Sequence, residues 1–280
     1  MRNKIGTLVI AALIAFTGCS SKELNAGEAP APKVVHAYLV APLITADEVS
    51  SKLLAAGFEV IGSYTVGKKL ETVVFTNTTL RSMANKPNRG FAGIGRILID
   101  GNKNQISISN PVYFGKAFMQ DTADYTQMLS VKNALTSVFV GTKETGDKWG
   151  YSGLADYHFM VAMPYYQDSI VIGEGNVDFL LEKAEAYKEG KMHLFTLKLA
   201  KGKYLVGYGL SKRTANFPKK IGTDKAGLLP YTILIENEEA RILAPKYYLA
   251  VSYPQLTMSQ FMRIARIPGA IEKDLTKPFN

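Results

Sequence analysis

The chain of 280 residues carries 33 Lys and Arg against 24 Asp and Glu, a formal net charge of +9, with 47% hydrophobic residues and a single cysteine. That apolar content, without a low-complexity run, suffices for one large domain or two of ordinary size. A lone cysteine excludes an internal disulfide.

Residues 1–19 begin with Arg2 and Lys4, continue through an apolar segment at 5–16 and reach Thr17, Gly18 and Cys19. A membrane-spanning helix needs about 20 apolar residues, so the segment reads as an export signal with a basic start and a short apolar middle. Small Gly18 stands directly before Cys19 where an A-x-A cleavage site would otherwise be expected. This arrangement resembles a bacterial lipoprotein signal, with Phe16 where Leu is usual. The resemblance implies that Cys19 becomes the lipidated N-terminus, with palmitate among its acyl chains. Ser20 and Ser21, in place of an inner-membrane retention Asp, then imply the outer membrane, facing the periplasm. Each buried methylene of an acyl chain contributes about 0.8 kcal/mol, so two or three chains anchor stably where one would not. Residues 20–33 are small, polar and proline-bearing, and are expected to form a disordered stalk that reaches at most about 45 to 50 Å.

A first folded unit is expected over 34–140. Residues 34–40 read as a strand and 46–57 as an amphipathic helix stopped by Gly57. Residues 58–66 and 70–77 alternate as two strands around Gly67, Lys68 and Lys69, and a short helical segment at 80–84 leads into the loop ANKPNRG. Residues 94–99 and 105–109 read as a hairpin across Asp100-Gly101, and helices at 111–118 and 123–140 close the unit. The turn-rich, charged stretch 141–153 reads as a linker. In a second unit, 154–280, strands are expected at 157–163, 193–199, 204–209, 229–235 and 240–243. An apolar run at 169–172 precedes a helix at 177–187, and a further helix spans 257–267.

Several landmarks recur between the units. RSMANKPNRG at 81–90 echoes RTANFPKKIG at 213–222, RILID at 96–100 echoes TILIE at 232–236, and SNPVYF at 109–114 echoes LAPKYY at 243–248. His36 and His158 each stand six residues before a proline. The order is kept while the spacing drifts, as loop insertions produce in a duplicated domain. The expected fold is therefore α+β: two tandem repeats, each an antiparallel sheet backed by helices, related by a pseudo-twofold.

A strand, a helix, a hairpin containing VVFTN, and a strand pair ending in Asn-Pro or Ala-Pro before a helix together resemble an uncharacterised bacterial domain family, domain of unknown function number three hundred and two. The resemblance covers 34–118 and 157–253. It implies a compact α+β fold that forms dimers or tandem pairs through its sheets, and it brings no catalytic residues.

The search for local chemistry finds little. His36, His158 and His193 are not spaced as metal ligands, and no metal or cofactor is expected. Residues 141–148 have P-loop glycine spacing, but Asp147 and Lys148 stand where Lys and Ser or Thr are required; GFAGIG at 90–95 lacks the dinucleotide pattern. No G-x-S-x-G elbow is present. Residues 198–225 hold eight Lys or Arg against one acid, Asp224, a positive run that suits anionic headgroups, acidic glycans or a carboxylate ligand, or simply a solvated face. Export makes nucleic acid a poor partner.

The remaining ligand-binding candidates are Arg81, Asn85, Arg213, Asn216, His36, His158, Tyr113 and Tyr247. Arg and Asn offer forked donors and amide pairs for an anion, Tyr an amphipathic ring, and all stand at repeated positions; bracing of a loop or helix end is the alternative. The expected function is a non-catalytic binding or scaffolding module, anchored to the membrane by lipid at Cys19, with a small anionic ligand or an envelope protein as partner. The alternative is a ligand carrier or enzyme with its site in the cleft between the repeats.

Overall fold

The computed structural model describes residues 30–280. The signal at 1–19 with Cys19, and most of the stalk, lie outside the described residues. Every described element belongs to one compact unit, Ala31–Asn280.

In chain order, β1 (Val34–His36) and β2 (Tyr38–Pro42) are followed by α1 (Ala46–Ala55). Thr45 starts this helix with a capping box: its hydroxyl accepts from the Glu48 N–H, while the Glu48 carboxylate accepts from the Thr45 N–H. The hairpin of β3 (Glu59–Val66) and β4 (Leu70–Thr76) turns through Gly67 at φ 69°, a left-handed conformation that favours glycine. Next come α2 (Thr78–Ala84), β5 (Gly95–Asp100), β6 (Gln105–Ser109), α3 (Pro111–Met119) and α4 (Tyr125–Val138). Asn77 and Asn110 cap α2 and α3, and Pro111 opens α3 where its missing N–H costs nothing. Two short strands, β7 (Lys143–Glu144) and β8 (Lys148–Gly150), lie in the stretch expected to be a linker.

The rest comprises β9 (Ile170–Glu174), α5 (Val177–Ala186), β10 (His193–Ala200) and β11 (Lys203–Tyr208). After them come α6 (Lys212–Ala215), α7 (Pro218–Ile221), β12 (Tyr231–Glu236) and β13 (Glu239–Ile242). The chain closes with α8 (Pro245–Ser252), α9 (Met258–Arg263) and α10 (Ile267–Thr276).

The molecule is α+β with antiparallel sheets. A six-stranded sheet has the order β3-β4-β5-β6-β2-β7, a five-stranded sheet the order β10-β11-β12-β13-β9, and β1 pairs with β8 alone. The helix α1 lies on β3 and β4, and α5 lies on β10 to β13. A 3-10 turn at Gly90–Gly93 packs on β11 and β12, while another at Thr223–Leu228 packs on β4, β5 and β6. At Gly90 the contact requires bare backbone, since a Cβ there would come within 2.2 Å of Leu234, while Gly227 lies at ordinary contact distance from Leu98.

Tyrosine dominates the core where α3 meets α8. Tyr113, Tyr231, Tyr247 and Tyr253 are all fully buried, and burial of a phenol favours finding its hydroxyl an acceptor. Tyr113 donates to the Val251 carbonyl at 2.8 Å and Tyr247 to the Ala117 carbonyl at 3.4 Å, so the two helices exchange hydrogen bonds.

Three sequence expectations are corrected. Residues 157–163 form no strand: Met160 to Met163 is a turn closed by a 3.0 Å hydrogen bond, and β9 occupies the place beside β13 that β2 holds beside β6. The continuous strand over 34–40 is two strands, because the chain changes partner at Ala37, whose N–H bonds the Asp147 carbonyl. The helix over 257–267 breaks at Ile264 into α9 and α10, with Pro268 in the first turn of α10.

Candidate functional site

The sequence-derived residues do not converge. Arg81 and Asn85 lie together on a groove of about 760 Å³ beside α2, where Arg81 is paired with Glu59. Arg213 is exposed on α6, and the Asn216 amide donates to the Lys212 carbonyl at 2.6 Å. His36 sits between the Thr145 carbonyl and Glu144, 3.2 Å from that carboxylate, and takes its place in β1. His158 is far from any strand partner, in an irregular segment, with its ring against Tyr165 at 4.4 Å. Its equivalence to His36 therefore fails. Tyr113 and Tyr247 lie in the core and offer no surface to a ligand. The basic run at 198–225 is likewise not one solvated face, because Lys203 is buried against Glu236 at 2.7 Å and Lys225 against Asp147 at 2.9 Å.

A different set of residues builds a cleft of about 580 Å³. One wall comes from β2 and the β5–β6 hairpin through Tyr38, Val40, Lys103, Gln105 and Ser107. The opposite wall comes from Asp224, Lys225, Tyr253, Gln255 and Gln260, and the floor from residues 145–147 just after β7. The Lys225 ammonium is held by Asp147 at 2.9 Å and Asp224 at 3.1 Å, and lies 4.4 Å from the centre of the Tyr253 ring. Lys103 reaches Asp224 at 2.6 Å from the other wall. Burial works to raise the Asp224 carboxyl, but the Lys225 and Lys103 ammoniums outweigh it and hold that carboxyl below the usual range.

Behind these charges, Tyr38 and Tyr253 stack at 5.3 Å. Both hydroxyls are pushed far above the ordinary phenol value, chiefly by burial. Tyr253 donates to the Asp224 carbonyl at 3.3 Å, and the Tyr38 hydroxyl is buried beside it. The two ammoniums are matched by two carboxylates, so the cleft carries little net charge. Its remaining polar lining consists of hydroxyl and amide groups. Such a lining suits an uncharged ligand rich in hydroxyls or amides better than a free anion. No nucleophile stands beside a base in it, and no cluster of His, Cys, Asp and Glu that could hold a metal occurs among the described residues.

Sequence reasoning missed the Asp147–Lys225 pair because nothing local joins two residues so far apart in the chain: Lys225 registers only as the end of the basic run 198–225, and Asp147 only as the residue that spoils a P-loop pattern. Comparison with family models, with curated proteins and with solved structures finds no match for this chain.

Proposed function

We propose that the protein is a periplasm-facing outer-membrane lipoprotein whose body, two tandem repeats of one α+β unit, acts without catalysis as a binding or scaffolding module. The observation that carries the duplication is the shared strand order. In each sheet the chain runs strand, helix, hairpin, helix (two short ones, α6 and α7, in the second), 3-10 turn, hairpin, helix, and the first strand ends beside the last. The reciprocal contacts Gly90–Leu234 and Gly227–Leu98, and the exchanged Tyr113 and Tyr247 hydrogen bonds, fit a pseudo-twofold between the repeats. An experimental structure in which residues 38–119 fail to superpose on 170–252 sinks the duplication. The anchor is supported by the sequence around Cys19, and labelling of cells with radioactive palmitate tests it. The wild-type chain should take up label and fractionate with outer membrane, and Cys19→Ala should do neither.

One observation favours the second reading, a small-ligand carrier. The cleft at Asp147 and Lys225 is lined both by residues of the 38–107 segment and by residues of the 224–260 segment, with hydroxyl and amide groups among them. Native mass spectrometry of purified protein decides between the readings: a small molecule retained in stoichiometric amount supports the carrier, and a bare chain supports the scaffold.

A further inference from the structure

Three polar side chains on the cleft have no hydrogen-bond partner among the described residues. The Thr145 hydroxyl, on the floor, is buried and meets no donor or acceptor of the protein. Ser107 on β6 is only 4% exposed, and neither its hydroxyl nor the Gln105 amide is taken up within the fold. Side chains alternate along a strand, so Gln105 and Ser107 face the same way, and Val40, opposite Ser107 on β2, lines the cleft with them. Ser109, the next residue of β6 on that face, is occupied instead: its hydroxyl accepts the Arg96 N–H at 2.8 Å. Buried hydroxyls are hydrogen-bonded in the large majority of cases. Two unused ones and an amide on one cleft therefore point to a partner from outside the chain.

The charges beside them narrow what that partner is. Asp147 and Asp224 already hold Lys225 and Lys103, at 3.1 Å or less in every pair. A carboxylate or phosphate would enter against two carboxylates and find both ammoniums taken, and an alkyl chain would leave the hydroxyls and the amide unsatisfied. What fits is a neutral ligand dense in groups that give and take hydrogen bonds. Ser, Thr and Gln side chains both donate and accept, a carboxylate only accepts and an ammonium only donates. A hydroxyl serves each of these by turning about its C–O bond, whereas the planar peptide unit presents its N–H and C=O on opposite edges.

We propose that this cleft binds a neutral oligosaccharide, whose ring hydroxyls bond Ser107 and Gln105 on one wall and the open lone pairs of Asp224 on the other, with the deepest of them at Thr145. The cleft volume of about 580 Å³ lies within the range of about 300–1,000 Å³ that small ligands occupy. This ligand class rests on the carrier reading of the cleft.

The test uses the purified protein prepared for native mass spectrometry. It is applied to an immobilised array of neutral and acidic glycans and titrated with maltotriose and with the trimer of N-acetylglucosamine. Expected is binding of a neutral glycan that high salt leaves in place, since screening acts on charge. Ser107→Ala and Gln105→Ala should each weaken it about fivefold, the factor that one hydrogen bond contributes. Neither side chain hydrogen-bonds the rest of the fold, so both variants should keep the thermal midpoint of the parent. Absence of neutral-glycan binding overturns the proposal, as does binding confined to acidic glycans or binding that neither substitution weakens. The carrier reading is judged apart from it. A peptide or other non-saccharide ligand retained in the native mass spectrum keeps the carrier and removes only the sugar, whereas a bare chain that binds no glycan removes both.

Discussion

Lys225 is the side chain on which the cleft most depends. It is mostly buried, among the described residues it is the only cation within ion-pair distance of Asp147, and it shares Asp224 with Lys103. Removing one member of a buried pair strands its partner in a medium that penalises charge, at about 3–5 kcal/mol. Lys225→Met should therefore cost stability in that range by urea denaturation. Lys103→Met should cost under about 1 kcal/mol, because Lys103 is 45% exposed and Asp224 keeps Lys225. A pH titration tests the role of Asp224. The folded Asp224 carboxyl is lowered from its ordinary value of 3.8, so its contribution is complete above that value and is lost as pH falls through the folded one. Asp224→Asn should flatten the acid limb of the stability profile below about pH 4, and an unchanged limb would refute the assignment.

Among the elements, each main sheet contains an aromatic ring laid over a glycine on the neighbouring strand. Phe75 on β4 pairs with Gly95 on β5, and Phe195 on β10 pairs with Gly207 on β11. A Cβ on either glycine would lie 2.1 Å from ring carbon. Overpacking of that kind costs about 1–3 kcal/mol, so Gly95→Ala and Gly207→Ala should each lower the urea midpoint, whereas Gly146→Ala, with open space around it, should leave it in place. Elements of this regularity are what periodicity reads well: α1, β3, β4, the β5–β6 hairpin, α5 and the β12–β13 hairpin all follow from alternation, caps and turn residues. The apolar run 157–163 misled because its Met and Val face water at a turn, and apolar character alone does not distinguish a strand from an exposed tip. The Asp147–Lys225 pair was illegible for a different reason. Ion pairing across the fold leaves no periodic trace, and only tertiary structure brings the 145–147 segment to the 3-10 turn at Thr223–Leu228.

At the scale of the whole molecule, each sheet lends a glycine-bearing turn to the other and the helices α3 and α8 share one tyrosine core, so neither half closes its own interior. Glu236 and Lys203 strengthen the dependence: they bind each other and grip the loop 86–88 through the Asn88 N–H at 2.9 Å and the Lys86 carbonyl at 2.6 Å. Unfolding should accordingly be one transition, with calorimetric and van't Hoff enthalpies equal. Residues 31–142 expressed alone should show no cooperative transition. Two separated transitions in the intact chain would mean that the shared core carries less than its burial implies.

The pairing of β1 with β8 has a mechanical corollary. Any load that reaches the body along the residues before Val34 meets first a ribbon of three residue pairs, Val34–Gly150 to His36–Lys148. The next strand, β2, is hydrogen-bonded on both sides, to β6 and β7. Tension applied at that end should therefore open the three-pair ribbon before it reaches β2, which neighbours hold on both edges.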